Sequence, residues 1–274
     1  MKKFKSYLKK LYKIIISPSM SYLPGNLAFS LVLSIFPILT LIGVIASNFS
    51  INIAALTNFI NKSLPPDVAD VLATFISGKG FDSNIGIFMI IGFYLASNGA
   101  DSIILASNNL YQFKNSDYVK RRIKSLFLIG LIIFSLIFLL GFLGFGIHII
   151  DLLLSKTKDV KFVSLVHQLF NLLKWPFSIF IILFNLKLIY TIAPDNKIKS
   201  KTTTTGAIFT TFSWVVVVEA YSYWVTNFSN YDIFYGSLSN IVILMLIIYL
   251  ISFLLIIGIA INVRQYEYDK KNGE

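Results

Sequence analysis

The chain has 274 residues, of which 56% are hydrophobic and only 14% are charged, and it contains no cysteine. A soluble domain carries about a quarter charged residues, so this composition excludes an ordinary soluble fold, and the lack of cysteine excludes disulfides and cysteine metal ligands. The formal net charge is +11. The basic residues are distributed as membrane topology requires, so this charge does not indicate nucleic-acid binding.

The N-terminal segment, residues 1–23, is predicted to lie on the cytoplasmic surface of the membrane. Apolar side chains between Phe4 and Ile15 recur on one helical face, and lysines surround the rest of the helix. That pattern is typical of an interfacial helix, here bound to an anionic inner leaflet through the lysines from Lys2 to Lys13. No apolar core followed by a small-residue cleavage site is present, so we expect no removable signal peptide.

Six apolar stretches follow, each long enough to cross a hydrocarbon core of about 30 Å as a helix. They cover residues 25–47, 85–106, 123–150, 169–193, 205–225 and 238–263. Runs such as Leu126 to Leu143 do not alternate apolar and polar residues, which excludes membrane strands. The predicted fold class is therefore all-α, a polytopic membrane protein whose single domain, residues 1–274, is a bundle of six transmembrane helices.

The segment between the first two stretches, residues 50–80, is predicted to form an extracytoplasmic amphipathic helical hairpin. Apolar residues recur at helical spacing from Ile53 to Leu64, where Pro65-Pro66 ends the run. Asp67 can then cap a second helix. We expect the hairpin to rest on the outer surface of the membrane or to dip into it.

The placement of basic residues predicts the orientation of the chain. Most of the 24 lysines and arginines lie on one side of the predicted spans, in segments 2–13, 114–124, 197–201 and 264–271. The side richer in lysine and arginine faces the cytoplasm. Both termini are therefore predicted to be cytoplasmic, and the net charge needs no nucleic-acid partner.

Polar groups within a span cost a few kcal/mol unless they are paired or hydrated. In the second span Asn98, Asp101 and Ser102 surround Gly99, and Asn109 follows them. One interpretation is a broken helix whose freed backbone lines a cavity. The other is that Asp101 lies near the inner interface and pairs with a loop lysine.

Glu219 is the only glutamate inside a predicted span. Because spans four and five run antiparallel, Glu219 is closer in depth to Lys174 than to Lys187, which favours a Glu219–Lys174 ion pair. The alternative is that both lysines extend to opposite interfaces while Glu219 is hydrogen-bonded in the bundle. The candidate polar cavity or substrate path consists of Asn98, Asp101, Ser102, Asn109, Lys174 and Glu219.

Motifs typical of enzymes are missing from the sequence. His148 and His167 stand apart, without the spacing of a metal site, and there is no phosphate-binding glycine loop and no Ser-His-Asp arrangement. We therefore expect no enzyme, no metal and no cofactor.

Several short motifs occur in order along nearly the whole chain. They include Phe36-Pro37, Asn109-Leu110-Tyr111, Arg121-Arg122, Tyr235-Gly236-Ser237-Leu238 and the segment from Gly258 to Asn262. In this order and spacing the chain resembles the YihY/BrkB family, bacterial inner-membrane proteins once mislabelled ribonuclease BN. The family-motif positions are Pro37, Tyr235, Gly236, Gly258 and Asn262. One departure is Ala260, which stands where the family usually has an acidic residue.

The resemblance implies six transmembrane helices in the bacterial cell (inner) membrane and a role in the cell envelope, where lipid or lipopolysaccharide transport has been proposed. We therefore expect transport of a lipid or another amphipathic envelope precursor, with membrane lipids as partners. Two alternatives stay open: a non-transporting scaffold that recruits an envelope protein, and a small-solute or ion permease. The ribonuclease label gains no support, because two distant histidines cannot hold catalytic metals.

Overall fold

The computed structural model describes residues 12, 16–48, 57, 61, 69, 85–154, 160–228 and 239–272. Six long helices contain most of these residues: α1 Pro18–Asn48, α2 Ile85–Tyr111, α3 Tyr118–Leu154, α4 Val160–Ile192, α5 Thr204–Phe228 and α6 Ser239–Asn272. All six are long and apolar enough to cross a membrane. The predicted all-α, polytopic fold is confirmed.

Each predicted span overlaps one helix, but the helices continue beyond the apolar stretches. α6, for example, runs to Asn272, well past the predicted end at residue 263, and α1 begins at Pro18 rather than residue 25. Hydropathy marks only the part of a helix that crosses hydrocarbon, and polar turns can extend the same backbone hydrogen bonds into the head-group region. Apart from residues 57, 61 and 69, the predicted hairpin at 50–80 lies outside the described residues, and so does most of segment 1–23.

The six helices form a closed ring. Helices that follow one another in the chain pack side by side, and α6 completes the ring by packing against α1 as well as α5. α6 also touches α2, and these two helices have the largest buried share of their apolar segments, 44%, against 17% for α4. The centre of the bundle is therefore built from α2 and α6.

One end of the bundle, called here the basic end, carries the α2–α3 turn, residues 112–117, and the α4–α5 loop, residues 193–203. The first turns of α1 lie at this end, because Asn109 Nδ2 donates to the Tyr22 hydroxyl at 3.1 Å. The last turns of α6 lie there too, where Tyr266 packs edge-on against Tyr111 at 5.5 Å between centroids. Most of the lysine- and arginine-rich segments therefore share one end of the bundle.

Candidate functional site

Two arginines at the start of α3 bind the polar residues of α2. Arg121 Nε donates to Asp101 Oδ1 at 2.8 Å, and this ion pair is 16% and 19% exposed. Arg122 Nη1 donates to Asn98 Oδ1 at 2.8 Å, and its Nη2 donates to the Tyr94 carbonyl at 2.8 Å. Asp101 thus pairs with a helix arginine rather than with a loop lysine.

The positive charge of Arg122 is not balanced by a carboxylate in the described part of the chain. Its guanidinium lies over the Tyr94 ring, with Cζ 3.7 Å from the centroid, a favourable cation–π contact. Both of its hydrogen-bond partners, Asn98 and the Tyr94 carbonyl, are neutral. The Asp101 carboxylate is paired with Arg121 instead, and Arg122 Nε is buried without an acceptor among the described residues.

An apolar groove of 610 Å³ lies beside this cation, between α2, α3 and the later part of α1. It is lined by Leu41, Ile90, Phe93, Tyr94, Leu126, Gly130, Ile133, Phe134 and Ile137. Ile90 and Phe134 are strongly exposed, so the groove opens sideways onto the lipid-facing surface. From Leu126 to Ile137 a helix rises about 16 Å, close to the thickness of one leaflet's hydrocarbon. Arg122 does not line the groove itself, but its guanidinium lies over the ring of Tyr94, which is the lining residue of α2 nearest the basic end.

Small polar residues join α1 to α2. Ser102 Oγ donates to Ser30 Oγ at 2.6 Å, and the Gly99 N–H donates to Ser34 Oγ at 2.9 Å. A Cβ on Gly99 would lie 3.2 Å from Ser34 Oγ, so glycine permits this close helix approach. α2 is a continuous helix from Ile85 to Tyr111. The interpretation of a broken helix is therefore wrong, because α1 and α3 satisfy the polar groups without unwinding it.

Asn109 lies in a separate polar cavity at the basic end. This cavity has a volume of 630 Å³ and is lined by Tyr22, Leu23, Asn26, Leu105, Asn108, Asn109, Gln112, Phe113, Lys114 and Asn115. It shares no lining residue with the apolar groove. The polar residues predicted from α2 therefore do not surround one common space.

Asp195, in the α4–α5 loop, is absent from the residues predicted from the sequence, yet it joins two loops. Its Oδ2 accepts from Asn108 Nδ2 at 2.7 Å and from the Ser116 N–H at 2.8 Å, and its Oδ1 accepts from Lys124 Nζ at 3.0 Å. Burial raises the pKa of Asp195, but these hydrogen bonds and the Lys124 charge outweigh it and lower the pKa to about 2. In the sequence, the one feature that could have pointed to Asp195 is its position as a lone acidic residue after Pro194 in a basic loop.

The other two predicted site residues lie apart from each other and from both cavities. Glu219 is exposed on α5, whereas Lys174 Nζ donates to Asn171 Oδ1 at 3.2 Å on α4. Within the described part of the chain, the ion pairs do not include Glu219 or Lys174. Neither residue lines the groove or the polar cavity. The candidate path is thus divided into separate groups rather than brought together.

Gly258 and Asn262 lie where α4, α5 and α6 meet. Asn262 Oδ1 accepts from the Gly206 N–H at 2.8 Å, and the hydroxyls of Tyr190 and Thr210 lie 2.7 Å apart in a hydrogen bond. A Cβ on Gly258 would collide with both of those hydroxyls. These family-motif positions hold the helices together.

The remaining motif positions lie elsewhere. Pro37 is half-buried inside α1, Ala260 is fully buried in α6, and Tyr235 and Gly236 lie outside the described residues. Over the described residues, no group of three or more His, Cys, Asp or Glu side chains is placed to hold a metal ion.

Comparison with known proteins identifies a family over nearly the whole chain. The family model described as Virulence factor BrkB matches residues 17–274. The chain is similar to the ribonuclease-like protein YfkH of Bacillus subtilis (strain 168), with 26% identity over 98% of each chain. It is also similar to the UPF0761 membrane protein NTHI0384 of Haemophilus influenzae (strain 86-028NP), with 25% identity over 85% of each chain.

A third relative is the UPF0761 membrane protein PSHAa0171 of Pseudoalteromonas translucida (strain TAC 125), 25% identical over 85% of this chain and 77% of its own. No solved structure matches the chain. The match of the family model from residue 17 to residue 274 confirms the resemblance found from the sequence motifs. This chain therefore belongs to the BrkB family of membrane proteins.

Proposed function

We propose that this protein is a non-enzymatic bacterial inner-membrane protein, with both termini in the cytoplasm, that moves an anionic lipid or another amphipathic envelope precursor across the membrane. The observation that carries the proposal is the apolar groove whose lining residue Tyr94 has the Arg122 guanidinium stacked on its ring. Acyl chains suit the walls of the groove, and an anionic head group suits the cation.

The chemistry of Arg122 supports this assignment. A guanidinium has five N–H donors in a planar fork that matches the oxygens of a phosphate. Asn98 and the Tyr94 carbonyl take one donor each, which fixes the plane of the fork and leaves donors for a ligand. Because the cation lies in the first turns of α3, a head group bound there would lie near the membrane interface while its acyl chain followed the groove.

The two alternatives have weaker support. A scaffold would act through the predicted hairpin at 50–80 or through the basic end, and it gives the groove no role. A permease needs a continuous water-lined route, whereas Asn98, Asp101 and Ser102 are engaged with side chains of α1 and α3.

Lipid movement in reconstituted liposomes tests the proposal. The full chain should accelerate the transfer of a fluorescent phosphatidylglycerol between leaflets. The transfer is measured from the fraction of the fluorescence that dithionite quenches in the outer leaflet. Arg122→Gln removes the head-group cation and should slow transfer by about tenfold, the effect of losing one charge-assisted hydrogen bond of about 1.5 kcal/mol. Lys120→Gln, which removes the same charge from an exposed position of α3, should transfer lipid at the wild-type rate.

Equal transfer with and without protein would overturn the proposed movement. Equal transfer by wild type and Arg122→Gln, at matched protein levels, would overturn the role of the groove cation. Arg122→Lys should give an intermediate rate, because lysine keeps the charge but loses the planar fork.

A further inference from the structure

The polar cavity at the basic end has walls rich in carboxamides. It lies between the first turns of α1 and the α2–α3 turn, and its carboxamides belong to Asn26, Asn108, Asn109, Gln112 and Asn115. Lys114 is the single charged residue of its lining, and Leu23, Leu105 and Phe113 supply apolar surface. The volume of 630 Å³ is within the range of small-molecule sites, about 300–1,000 Å³.

Gln112 occupies a backbone position that normally takes glycine. Its φ is 58°, and it ends α2 in a Schellman motif, with the Phe113 N–H bonded to the Asn108 carbonyl at 2.8 Å and the Gln112 N–H bonded to the Asn109 carbonyl at 3.2 Å. A side chain in this left-handed conformation costs about 1 kcal/mol relative to glycine. The strained conformation places the Gln112 carboxamide in the cavity wall. Backbone strain of this kind is concentrated at functional sites.

The frame of the cavity is fixed by contacts behind its walls. Asn108 is fully buried. Its side-chain Nδ2 donates to Asp195 Oδ2 at 2.7 Å, and its side-chain Oδ1 accepts from the Asp195 N–H at 2.8 Å. Phe113 stacks on Tyr111, with centroids 5.2 Å apart, and meets Tyr266 of α6 edge-on at 5.8 Å. Asn108 and Phe113 are therefore held in place before any ligand arrives, which lowers the entropy cost of binding at these two positions.

Several polar groups of the cavity remain available. Among the described residues, the side chains of Asn26, Gln112 and Lys114 make no hydrogen bond, while Asn109 uses its amide nitrogen to reach the Tyr22 hydroxyl at 3.1 Å. Carboxamides both donate and accept hydrogen bonds, which matches hydroxyl groups, since these also do both. The Lys114 ammonium adds one positive charge, suited to one phosphate.

We propose that this cavity binds a phosphate-bearing polyol, such as glycerol phosphate, either as the head group of a phospholipid or as a free molecule. The carboxamides of Asn26, Asn109 and Gln112 bond the hydroxyls of the polyol, and Lys114 bonds the phosphate. The site is distinct from the groove, so its occupancy does not depend on lipid movement at Arg122.

Binding to the purified full chain in detergent tests this assignment. The probes are glycerol phosphate, phosphatidylglycerol, inorganic phosphate and glycerol, measured by calorimetry and native mass spectrometry. Gln112→Gly keeps the left-handed turn with its preferred residue but removes the carboxamide, and Lys114→Gln removes the charge. Each change should weaken binding of glycerol phosphate or phosphatidylglycerol by about tenfold.

Two control variants isolate the site. Lys197→Gln removes an exposed charge from the α4–α5 loop at the same end and should bind as the wild type does. Lys120→Gln, which removes an exposed charge from α3, should also bind as the wild type does. Thermal unfolding of Gln112→Gly should occur at or above the wild-type temperature, because glycine relieves the strained turn.

The pattern of bound probes decides the outcome. Binding of phosphatidylglycerol that Gln112→Gly and Lys114→Gln weaken, without binding of free glycerol phosphate, supports the site with a lipid as its source. Binding of free glycerol phosphate supports it with a soluble ligand. Inorganic phosphate binding as tightly as glycerol phosphate would overturn recognition of the polyol. Unchanged binding by both Gln112→Gly and Lys114→Gln, or no binding of any probe by the wild type, would overturn the site.

Discussion

At Gly258 the backbone of α6 comes so close to α4 and α5 that a methyl group would collide with Tyr190 and Thr210. The Tyr190 hydroxyl donates to the Leu255 carbonyl at 3.0 Å and shares a hydrogen bond of 2.7 Å with Thr210. Neither group can withdraw without leaving a buried polar atom unsatisfied, at a cost of about 1–3 kcal/mol. Only glycine therefore fits at position 258 without displacing these side chains.

Replacing Gly258 with alanine should destabilise the protein by about 2 kcal/mol, because overpacking forces the surrounding side chains to shift. Thermal unfolding in detergent, monitored by size-exclusion chromatography, would show this loss as a lower midpoint temperature of unfolding. Gly25→Ala is the matched control, since nothing lies within 4 Å of a Cβ at that position and alanine favours helix. An equal loss in both variants would contradict the packing argument.

Between elements, Asp195 connects the α2–α3 turn to the α4–α5 loop through Asn108, Ser116 and Lys124. Its pKa in the folded protein, about 2, lies below its ordinary value of 3.8. The charged form therefore stabilises the fold fully at pH values above about 4, and this contribution is lost as the pH falls through 3.8 towards 2. The two loops are held together throughout the physiological range.

Asp195→Asn should lower the stability by about 2 kcal/mol near neutral pH, because Lys124 loses its ionic partner. The gap between wild type and variant should narrow below about pH 4, where the carboxylate of the unfolded wild-type chain becomes protonated, and should close as the pH approaches the folded-state pKa of about 2. Unfolding midpoints measured from about pH 7 to about pH 2.5 would show this convergence. Asp117→Asn removes the same charge from an exposed position of the α2–α3 turn, and an identical pH profile for it would contradict the assigned role.

The helices could be predicted from the sequence, but their contacts could be predicted only in part. Hydropathy and length define six spans because lipid admits no unpaired backbone. The motif positions Gly258 and Asn262 were found through the family resemblance. The predicted Glu219–Lys174 pair is not formed, because depth gives the position along a helix axis, whereas rotation about that axis decides which face a side chain takes.

For the whole molecule, the arrangement of the basic end predicts a single orientation. The α2–α3 turn, the start of α3, the α4–α5 loop and the end of α6 lie together and carry most of the described basic residues. Because lysine and arginine are retained on the cytoplasmic side, we expect this whole end to face the cytoplasm and residues 50–80 to face outward.

Single-cysteine labelling would test the orientation, and it is simple here because these 274 residues contain no cysteine. Asn61→Cys should react with a membrane-impermeant maleimide in cells whose outer barrier is permeabilised. Lys197→Cys should react only after the inner membrane is opened. The reverse pattern of labelling would overturn the predicted topology.

The closed ring has a consequence for biosynthesis. α6 leaves the ribosome after the five other long helices, and its contacts with α1 and α2 join it to the first two of them. Its 34 residues take a few seconds to synthesise at about 5–20 residues per second. During that interval the five earlier helices stand in the membrane as an open arc whose central surface has no partner. A nascent chain cut short before residue 239 would therefore be inserted but left unclosed, and it would be a natural target for membrane proteases.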